Sequence, residues 1–270
     1  MSNETMIKDA GGNTHARVTT QPRIVSVVPS ITELLFDLGL GECVVGRTGF
    51  CFYPKSQVKR IPKIGGTKDF DLEKLKALRP THLIVNIDEN PKALVDAASE
   101  FVPHVVVTHP MAPQDNVSLF QLLGDVFDQE ENAARLVDRF QARWRELERI
   151  GDKFPQERVI YLIWKNPWMT ICQDTYIARC LETIGYHHIP LDSSLRYPEV
   201  VLEDIVGDID RILLSTEPYA FRQKDVDELR QQFGSKSAVT ISLIDAEMTS
   251  WYGSRAIQGL EYLAQYRGGV

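Results

Sequence analysis

The sequence predicts an α/β fold of two similar lobes, each with a mostly parallel sheet, joined by a long backbone helix. Short apolar runs alternate with amphipathic segments along the chain, which is the pattern of parallel strands linked by helices. The order of these segments in the first half returns in the second half. A helical stretch without any strand signal separates the two halves.

The internal repeat consists of two blocks that match in order and kind. Residues 23–39 are typical of a strand, a loop and a helix that ends in glycine, and residues 158–185 show the same succession. A short helix followed by a strand is then predicted at 71–85 and again at 201–214. Two lobes built in this way leave a cleft between them, which is where small ligands usually bind.

The first predicted strand, 24–28, is a short apolar run, typical of a parallel strand that is buried on both faces. Strands are predicted at 24–28, 42–46, 83–85, 105–107, 157–163, 211–214 and 238–244.

Each predicted helix has apolar residues three or four positions apart, and its ends carry capping residues, glycine or proline. Ser30 is expected to cap the first helix and Gly39 to end it, while Asp71 and Pro80 bound the next one. Helices are predicted at 31–39, 71–78, 91–101, 117–127, 130–150, 175–185, 199–206, 224–233 and 253–266.

The longest predicted helix, over 130–150, has an apolar side formed by Ala133, Leu136, Phe140 and Leu147. It is either a long crossover helix or a rigid connector of about 30 Å, and its place between the repeats favours the connector. The predicted organisation is therefore a disordered lead-in over 1–21, an N-terminal α/β lobe over 22–115, a helical connector over 116–150 and a C-terminal α/β lobe over 151–270.

The charge balance argues against a nucleic-acid partner, since 30 lysines and arginines face 37 acidic residues and leave a net charge of −7. No apolar run approaches the roughly 20 residues of a membrane span. The polar N-terminus has no apolar core of the kind found in secretory signals. We expect a monomer that is cytoplasmic if the chain is complete, and periplasmic if an export signal has been removed.

The cysteines show no Cys-x-x-Cys spacing, and we expect reduced, partly buried thiols, with a disulfide in an oxidising compartment as the alternative for the first two. No cysteine or histidine pairs have the short spacing of a zinc site, so no metal site is predicted. The four residues are Cys43, Cys51, Cys172 and Cys180.

Candidate ligand contacts lie in the loops that follow the predicted strands, because ligands of open α/β sheets bind beyond the carboxyl ends of the strands. Three of the four tryptophans fall there; they form either a wall for a large, flat, partly apolar ligand or a cover over the sheet edge. Arg47 and Arg255 are the candidate sources of charge. The full set is Pro29, Ser30, Arg47, Tyr53, Gly66, Thr67, Trp164, Trp168, Trp251, Tyr252 and Arg255.

No catalytic motif is present in the sequence. The glycines before Thr67 are not followed by the Lys-Ser/Thr of a phosphate loop, and no G-x-S-x-G elbow occurs. His187 and His188 are adjacent, which favours a surface pair over a pair of metal ligands. Glu73 and Glu203 start equivalent helices, where they either stabilise the helix dipole or serve as docking points for a symmetric partner.

Residues 26–33, 44–48 and 71–85 resemble the helical-backbone, class III substrate-binding proteins of ABC transporters, whose fold is also chelatase-like. Within that class they resemble the vitamin B12-binding branch, over about residues 22 to 266. The resemblance implies a cleft that holds cobalamin or a siderophore-like metal chelate, with no intrinsic cofactor. It also implies that one acidic residue on each lobe docks on a dimeric permease; Glu73 matches the first position and Glu247 is the candidate for the second.

The sequence thus predicts a binding protein rather than an enzyme, one that captures cobalamin or another large metal chelate for an ABC transporter. The alternative is a cytoplasmic tetrapyrrole- or metal-handling enzyme or chaperone on the same fold. That alternative needs a metal ligand or an acid–base pair, for which His187, His188, Asp245 and Glu247 are the candidates.

Overall fold

The alternation of apolar and amphipathic segments produces two α/β units, each built around its own sheet. The computed structural model describes residues 6–151, 153–191, 195–234 and 238–268. One unit comprises the residues up to Pro110, Gln114–Phe140 and Tyr252–Arg255, and the other comprises Met111–Pro113, Gln141–Trp251 and the residues from Ala256 onward. Among the described residues, no helix has both the length and the apolar character needed to cross a membrane.

Strands and helices alternate along most of the chain. The strands are β1 (Ile7–Lys8), β2 (Thr14–His15), β3 (Ile24–Ser26), β4 (Val44–Arg47), β5 (His82–Asn86), β6 (His104–Thr108), β7 (Glu157–Trp164), β8 (Met169–Thr170), β9 (Tyr186–His188), β10 (Arg211–Ser215) and β11 (Thr240–Ile244). The helices are α1 (Pro29–Asp37), α2 (Leu72–Ala77), α3 (Lys92–Ser99), α4 (Asp115–Val126), α5 (Glu130–Gly151), α6 (Tyr176–Glu182), α7 (Leu202–Ile205), α8 (Gln223–Phe233), α9 (Ala246–Ser250) and α10 (Arg255–Gly268).

The main sheet of the first unit is parallel, with the strand order β4-β3-β5-β6. Its inner strands are buried along their whole length, which explains why they are continuous apolar runs in the sequence. Val25, Leu83 and Val85 belong to the core that lies between this sheet and the helices α2 and α3.

The sheet of the second unit has β7 near its centre. The strands β10 and β11 lie parallel on one side of it, in the order β7-β10-β11. The other side of β7 is shared, because β9 pairs parallel with its first half and β8 pairs antiparallel with its second half.

The two sheets share one topology, so the repeat predicted from the sequence is confirmed at the level of the fold. If strands are numbered within each unit, the order of the parallel strands is 2-1-3-4 in both. The helices that precede Gly39 and Gly185 also correspond, and both glycines have a positive φ, of 84° and 75°. A positive φ closes a helix at little cost only in glycine.

The long helix predicted over 130–150 is observed as α5, Glu130–Gly151. Its predicted apolar side is buried at Ala133, Leu136, Phe140 and Leu147. The division between the two units falls inside this helix, after Phe140. Its role as a rigid connector stays a prediction.

Several short elements differ from the sequence-based expectation. The residue that precedes the first turn of α1 is Val28 rather than Ser30, and Pro29 takes the first helical position. The strand expected at 42–46 begins with a 3-10 turn and continues as β4. The sequence does not predict the elements β8, β9 and α9, because each is short and none contains an apolar run like those of the predicted strands.

The sequence predicts that the adjacent histidines form a surface pair, and this prediction is wrong. The two residues lie on the strand β9 and point to opposite faces of it. His187 is exposed and His188 is buried. The Nδ1 of the buried ring donates to the carbonyl oxygen of Ile189 over 2.9 Å, and its Nε2 lies 2.9 Å from Thr170 Oγ1.

The described part of the predicted lead-in, residues 6–21, contains two short strands. The strands β1 and β2 form an antiparallel hairpin whose turn lies against the edge strand β6. The Asp9 carboxylate accepts N–H bonds from Gly11, Asn13 and Val107, and lies 2.9 Å from His15 Nε2. Composition predicts disorder here because the segment is polar, but one buried carboxylate with several partners outweighs that signal.

Three histidines lie together where the hairpin meets the sheet. His82 and His104 are neighbours on β5 and β6, and their rings stack with centroids 4.8 Å apart. Burial, together with the charges of His104 and His15, lowers the pKa of His82 to about 4.

The depressed pKa of His82 predicts acid-dependent unfolding. The folded protein disfavours the charged ring, so its stability is complete above pH 6.5 and falls as the pH drops towards about 4. The loss at the lower end is about 3 kcal/mol for this one group. Urea unfolding across this range should show the loss, and His82→Gln should flatten it; an equally steep fall in the variant would contradict the assignment.

Candidate functional site

The residues that are able to contact a ligand gather at the carboxyl end of each sheet. In a sheet with the order 2-1-3-4, the chain leaves the first and third strands in opposite directions, and the loops beyond them frame a crevice. In the first unit these are the loops after β3 and β5, which place Ser30 and Glu89 at the same edge.

A hydroxyl–carboxyl pair, with the hydroxyl buried and the carboxyl half-buried, lies at the edge of the first unit. The Tyr252 hydroxyl donates a hydrogen bond to Glu89 Oε1, and the hydroxyl of Ser30 also lies beside it. Burial and the neighbouring Asp88 raise the pKa of Glu89 to about 7, although the bond from Tyr252 and the charge of Lys68 oppose the rise. The predicted contacts Ser30 and Tyr252 are therefore brought together, with Glu89, which the sequence analysis missed.

Arg255 is occupied by residues of its own unit. Its Nε and Nη2 donate to the two carboxylate oxygens of Glu33 over 2.7 and 2.6 Å. Its guanidinium carbon also lies 3.9 Å from the ring centroid of Tyr53, within the range of a cation–π contact. The predicted contacts Arg255 and Tyr53 are thus adjacent, and Glu33 neutralises the charge that the arginine was expected to offer to a ligand.

Arg47 holds together the loop that follows β4. Its guanidinium is buried and donates to the carbonyl oxygens of Val58, Thr48 and Cys51 over 2.8, 3.0 and 3.1 Å. The sequence analysis expected this arginine to supply charge to a ligand. The structure uses it to fix the loop instead, because three backbone acceptors satisfy a buried cation.

The glycine loop is tied to the strands by one asparagine. Asn90 donates to the carbonyl oxygen of Thr67 over 2.8 Å and accepts the N–H of Asn86 over 2.8 Å. Gly65 has a φ of 124°, and a Cβ there would lie 2.9 Å from the Asp69 carbonyl oxygen. Gly66 and Thr67 are partly buried at the same edge as Ser30, and backbone approach by a ligand stays a prediction for them.

Three apolar side chains at this edge are exposed. Phe50 and Phe52 lie in the loop that Arg47 fixes, and Ile87 directly follows β5; their exposed fractions are 54%, 50% and 49%. The sequence analysis missed all three. The signals were the run of aromatic residues after β4 and an apolar residue just beyond a buried strand.

The edge of the second unit carries a row of aromatic rings. Trp164, which is 41% exposed, meets Tyr219 edge-on at 5.6 Å, and Tyr219 lies 4.6 Å from Phe221. Phe221 stacks in turn on Trp168 at 6.0 Å between centroids. Trp168 covers the core, so of these two predicted tryptophans only Trp164 presents an exposed ring.

The third tryptophan of the predicted wall, Trp251, is half-buried and ends α9. Its backbone N–H donates to the carbonyl oxygen of Glu247 over 3.2 Å. Glu247 is half-buried in the same helix, and its charge helps burial to raise the pKa of Glu217. The predicted docking residue Glu247 therefore lies within an acidic group.

The other docking candidates are exposed. Glu73 and Glu203 each occupy the second position of a short helix, α2 or α7, that leads into the third strand of its sheet. Glu203 Oε1 accepts a hydrogen bond from Gln232 over 2.6 Å.

The cysteines Cys43, Cys51, Cys172 and Cys180 are free thiols. Within the residues that the structure describes, no group of three or more histidine, cysteine, aspartate or glutamate side chains is placed to hold a metal ion.

Comparison with known families identifies the chain, because the model of the periplasmic binding protein family matches residues 24–232. The chain belongs to the periplasmic binding protein family. This confirms the resemblance to class III substrate-binding proteins and the α/β fold inferred from the sequence. The binding protein is not an enzyme, and the cytoplasmic enzyme or chaperone considered from the sequence finds no support among its relatives.

Two curated relatives are similar to the binding protein in sequence. A vitamin B12-binding protein of Pectobacterium atrosepticum is 22% identical over 189 residues, which cover 68% of this chain and 67% of that protein. An uncharacterized ABC transporter substrate-binding lipoprotein of Bacillus subtilis is 23% identical over 266 residues, which cover 95% of this chain and 83% of that protein.

Two solved structures share the fold. The periplasmic vitamin B12-binding protein of Vibrio cholerae has a TM-score of 0.81 at 17% identity, with 92% of this chain and 96% of that chain covered. The periplasmic heme-binding protein of Roseiflexus has a TM-score of 0.77 at 21% identity, with 92% and 98% covered. The names of these relatives place them in the periplasm or describe a lipoprotein, so the expected cytoplasmic location is unsupported.

The ion pair of Arg255 and Glu33 predicts a sizeable stability effect. Arg255→Met leaves the largely buried Glu33 carboxylate without its bidentate partner and should lower the free energy of unfolding by about 3 kcal/mol. Lys92→Met is the matched control, because its ion pair with Asp96 is exposed and contributes less than about 1 kcal/mol. Urea unfolding of both variants measures the difference; equal losses would contradict the structural role of Arg255.

Proposed function

We propose that the binding protein captures cobalamin or another large metal chelate, such as a haem or a siderophore complex, for delivery to an ABC transporter. The exposed aromatic and apolar side chains at the carboxyl edges of the two sheets carry this proposal. The names of the relatives, which bind vitamin B12 or heme, support the ligand class.

The exposed side chains are unusual in kind and in place. A single exposed apolar residue needs no explanation, but a group of them at the edge where α/β proteins bind ligands indicates a binding surface. Phe50, Phe52 and Ile87 form such a group in the first unit, and Trp164 leads the aromatic row of the second. Flat rings offer a large contact area at a small cost in side-chain entropy.

Charge supports the same class of solute. Two cations near these edges are already engaged, since Arg255 pairs with Glu33 and Arg47 binds backbone carbonyls. Exposed rings beside cations that are already paired suit a large, partly apolar chelate better than a small ion. We propose that such a chelate is bound as cargo and that the protein has no resident cofactor.

The predicted site residues divide into contacts and supports. We propose that Trp164 and the half-buried Trp251 of the second unit contact the solute, and likewise Pro29, Gly66 and Thr67 of the first unit. We propose that the buried or half-buried residues support them: Ser30, Arg47, Tyr53, Trp168, Tyr252 and Arg255.

We also propose that the protein works outside the cytoplasm and as a monomer that meets a dimeric permease. Its relatives include a lipoprotein of an ABC transporter and proteins named as periplasmic. The small molecule and the permease are then its partners.

The ligand prediction is tested by isothermal titration with cyanocobalamin, aquocobalamin, haemin and a ferric siderophore. One of them should bind one-to-one, and Trp164→Ala and Phe52→Ala should each weaken it by about tenfold, because each removes one ordered ring from the contact. Met6→Ala removes an equally exposed apolar side chain from the N-terminal hairpin and serves as the control. Absence of heat with all four probes would refute the proposed ligand class.

The docking prediction concerns three glutamates. Glu73 and Glu203 are exposed at equivalent positions, whereas Glu247 is half-buried beside other acids, so we propose that Glu73 and Glu203 contact basic residues of the permease. Binding to the cognate permease in nanodiscs at low salt should weaken by about tenfold in Glu73→Gln and in Glu203→Gln. Glu247→Gln is the comparison; a loss in Glu73→Gln and Glu247→Gln, with Glu203→Gln unchanged, would restore the pair expected from the sequence.

A further inference from the structure

The loop between β7 and β8 carries Trp164 at its start and is held to helix α8 by one lysine. Lys165 Nζ lies 2.9 Å from Asp225 Oδ1 and 2.5 Å from Glu228 Oε2. The Asp225 side chain is only 1% exposed, and its second oxygen accepts the N–H of Arg222 over 2.9 Å. The ammonium group is thus fixed to the first turns of α8.

The same lysine lies over the inner end of the aromatic row. Its Nζ is 5.7 Å from the ring centroid of Trp168, which stacks on Phe221. The outer end of the row, Trp164, has only an edge-on contact with Tyr219. Lys165 therefore contacts the buried ring of the loop and an anchored carboxylate, while the exposed ring has little packing of its own.

The buried Asp225 carboxylate has stabilising partners other than Lys165. That carboxylate caps α8 through the Arg222 N–H and sits at the positive end of the helix dipole, which is a favourable place for an anion. The ion pair mainly restrains the loop, since β8 has only two residues and pairs with the end of β7 across an irregular register. A ring that is already held in place loses less conformational entropy when a ligand packs on it.

We propose that Lys165 is a positioning residue for solute binding: its ion pair with Asp225 locks the β7–β8 loop and presents the Trp164 ring in its bound position. This inference rests on the proposed function, in which Trp164 contacts the solute. According to this inference, Lys165 contributes to the affinity although it does not touch the solute.

The test combines a measurement on the ligand-free protein with one on binding. Lys165→Met keeps the length of the side chain and removes the charge, Lys165→Arg keeps the charge, and Lys92→Met is the control for loss of an exposed lysine. Hydrogen–deuterium exchange of residues 164–169 should quicken in Lys165→Met, since the loop opens locally. Titration with the probe that the wild type binds, cyanocobalamin first, should show about tenfold weaker binding in the same variant. Both effects should be largely reversed in Lys165→Arg and absent in Lys92→Met.

A double variant guards against general destabilisation. Lys165→Met combined with Asp225→Asn leaves no unpaired buried charge, so weak binding in this variant at an unchanged melting temperature supports the positioning role. Wild-type affinity in Lys165→Met or in the double variant, with Trp164→Ala still weakened, would overturn the inference and leave the proposed function standing. Failure of Trp164→Ala to weaken binding would overturn the solute contact itself, and unchanged exchange would overturn the lock.

Discussion

The need to partner every buried charge shapes both carboxyl edges of this binding protein. The Arg47 guanidinium donates to three backbone carbonyls. Arg255 forms an ion pair with Glu33, and Lys165 forms one with Asp225. The bonds of Arg47 and Lys165 stabilise loops that follow strands, and that of Arg255 joins the helices α10 and α1. A buried charge without a partner is costly. With these three cations engaged, Phe50, Phe52, Ile87 and Trp164 are among the side chains that the edges expose. The proposed binding surface thus depends in part on how these charges are satisfied.

The fold follows closely from the sequence where its signals are periodic and long. Continuous apolar runs such as 24–26 and 212–214 predict buried parallel strands, and the repeated order of segments predicts two sheets of one topology. The N-terminal hairpin and strand β9 could not be predicted in this way. The hairpin depends on Asp9 meeting a strand about a hundred residues away, and β9 consists of a tyrosine and two histidines with no apolar run.

The sequence predicts where the candidate contacts lie along the chain, but not which partners their side chains have in the structure. Loops after strands contain the residues of interest, so the rule of carboxyl ends finds Tyr53, Trp164 and Tyr252. The same rule cannot tell a ring that faces outward from one that covers the core, and Trp164 and Trp168 differ in this respect although they are four residues apart. Nor can it pair Arg255 with Glu33, because more than two hundred residues separate them.

The hairpin of β1 and β2 has a consequence for the edge of the sheet in the first unit. Strand β6 lies at the edge of its sheet. An uncovered edge strand exposes unpaired N–H and C=O groups, and another polypeptide can pair with them as an added strand. Here Ala10 donates to the Val107 carbonyl oxygen and Asp9 accepts the Val107 N–H, so the hairpin already fills those positions. A variant that lacks the residues up to His15 would expose these groups of β6. Edge-to-edge pairing of strands between copies would then be its main route to aggregation.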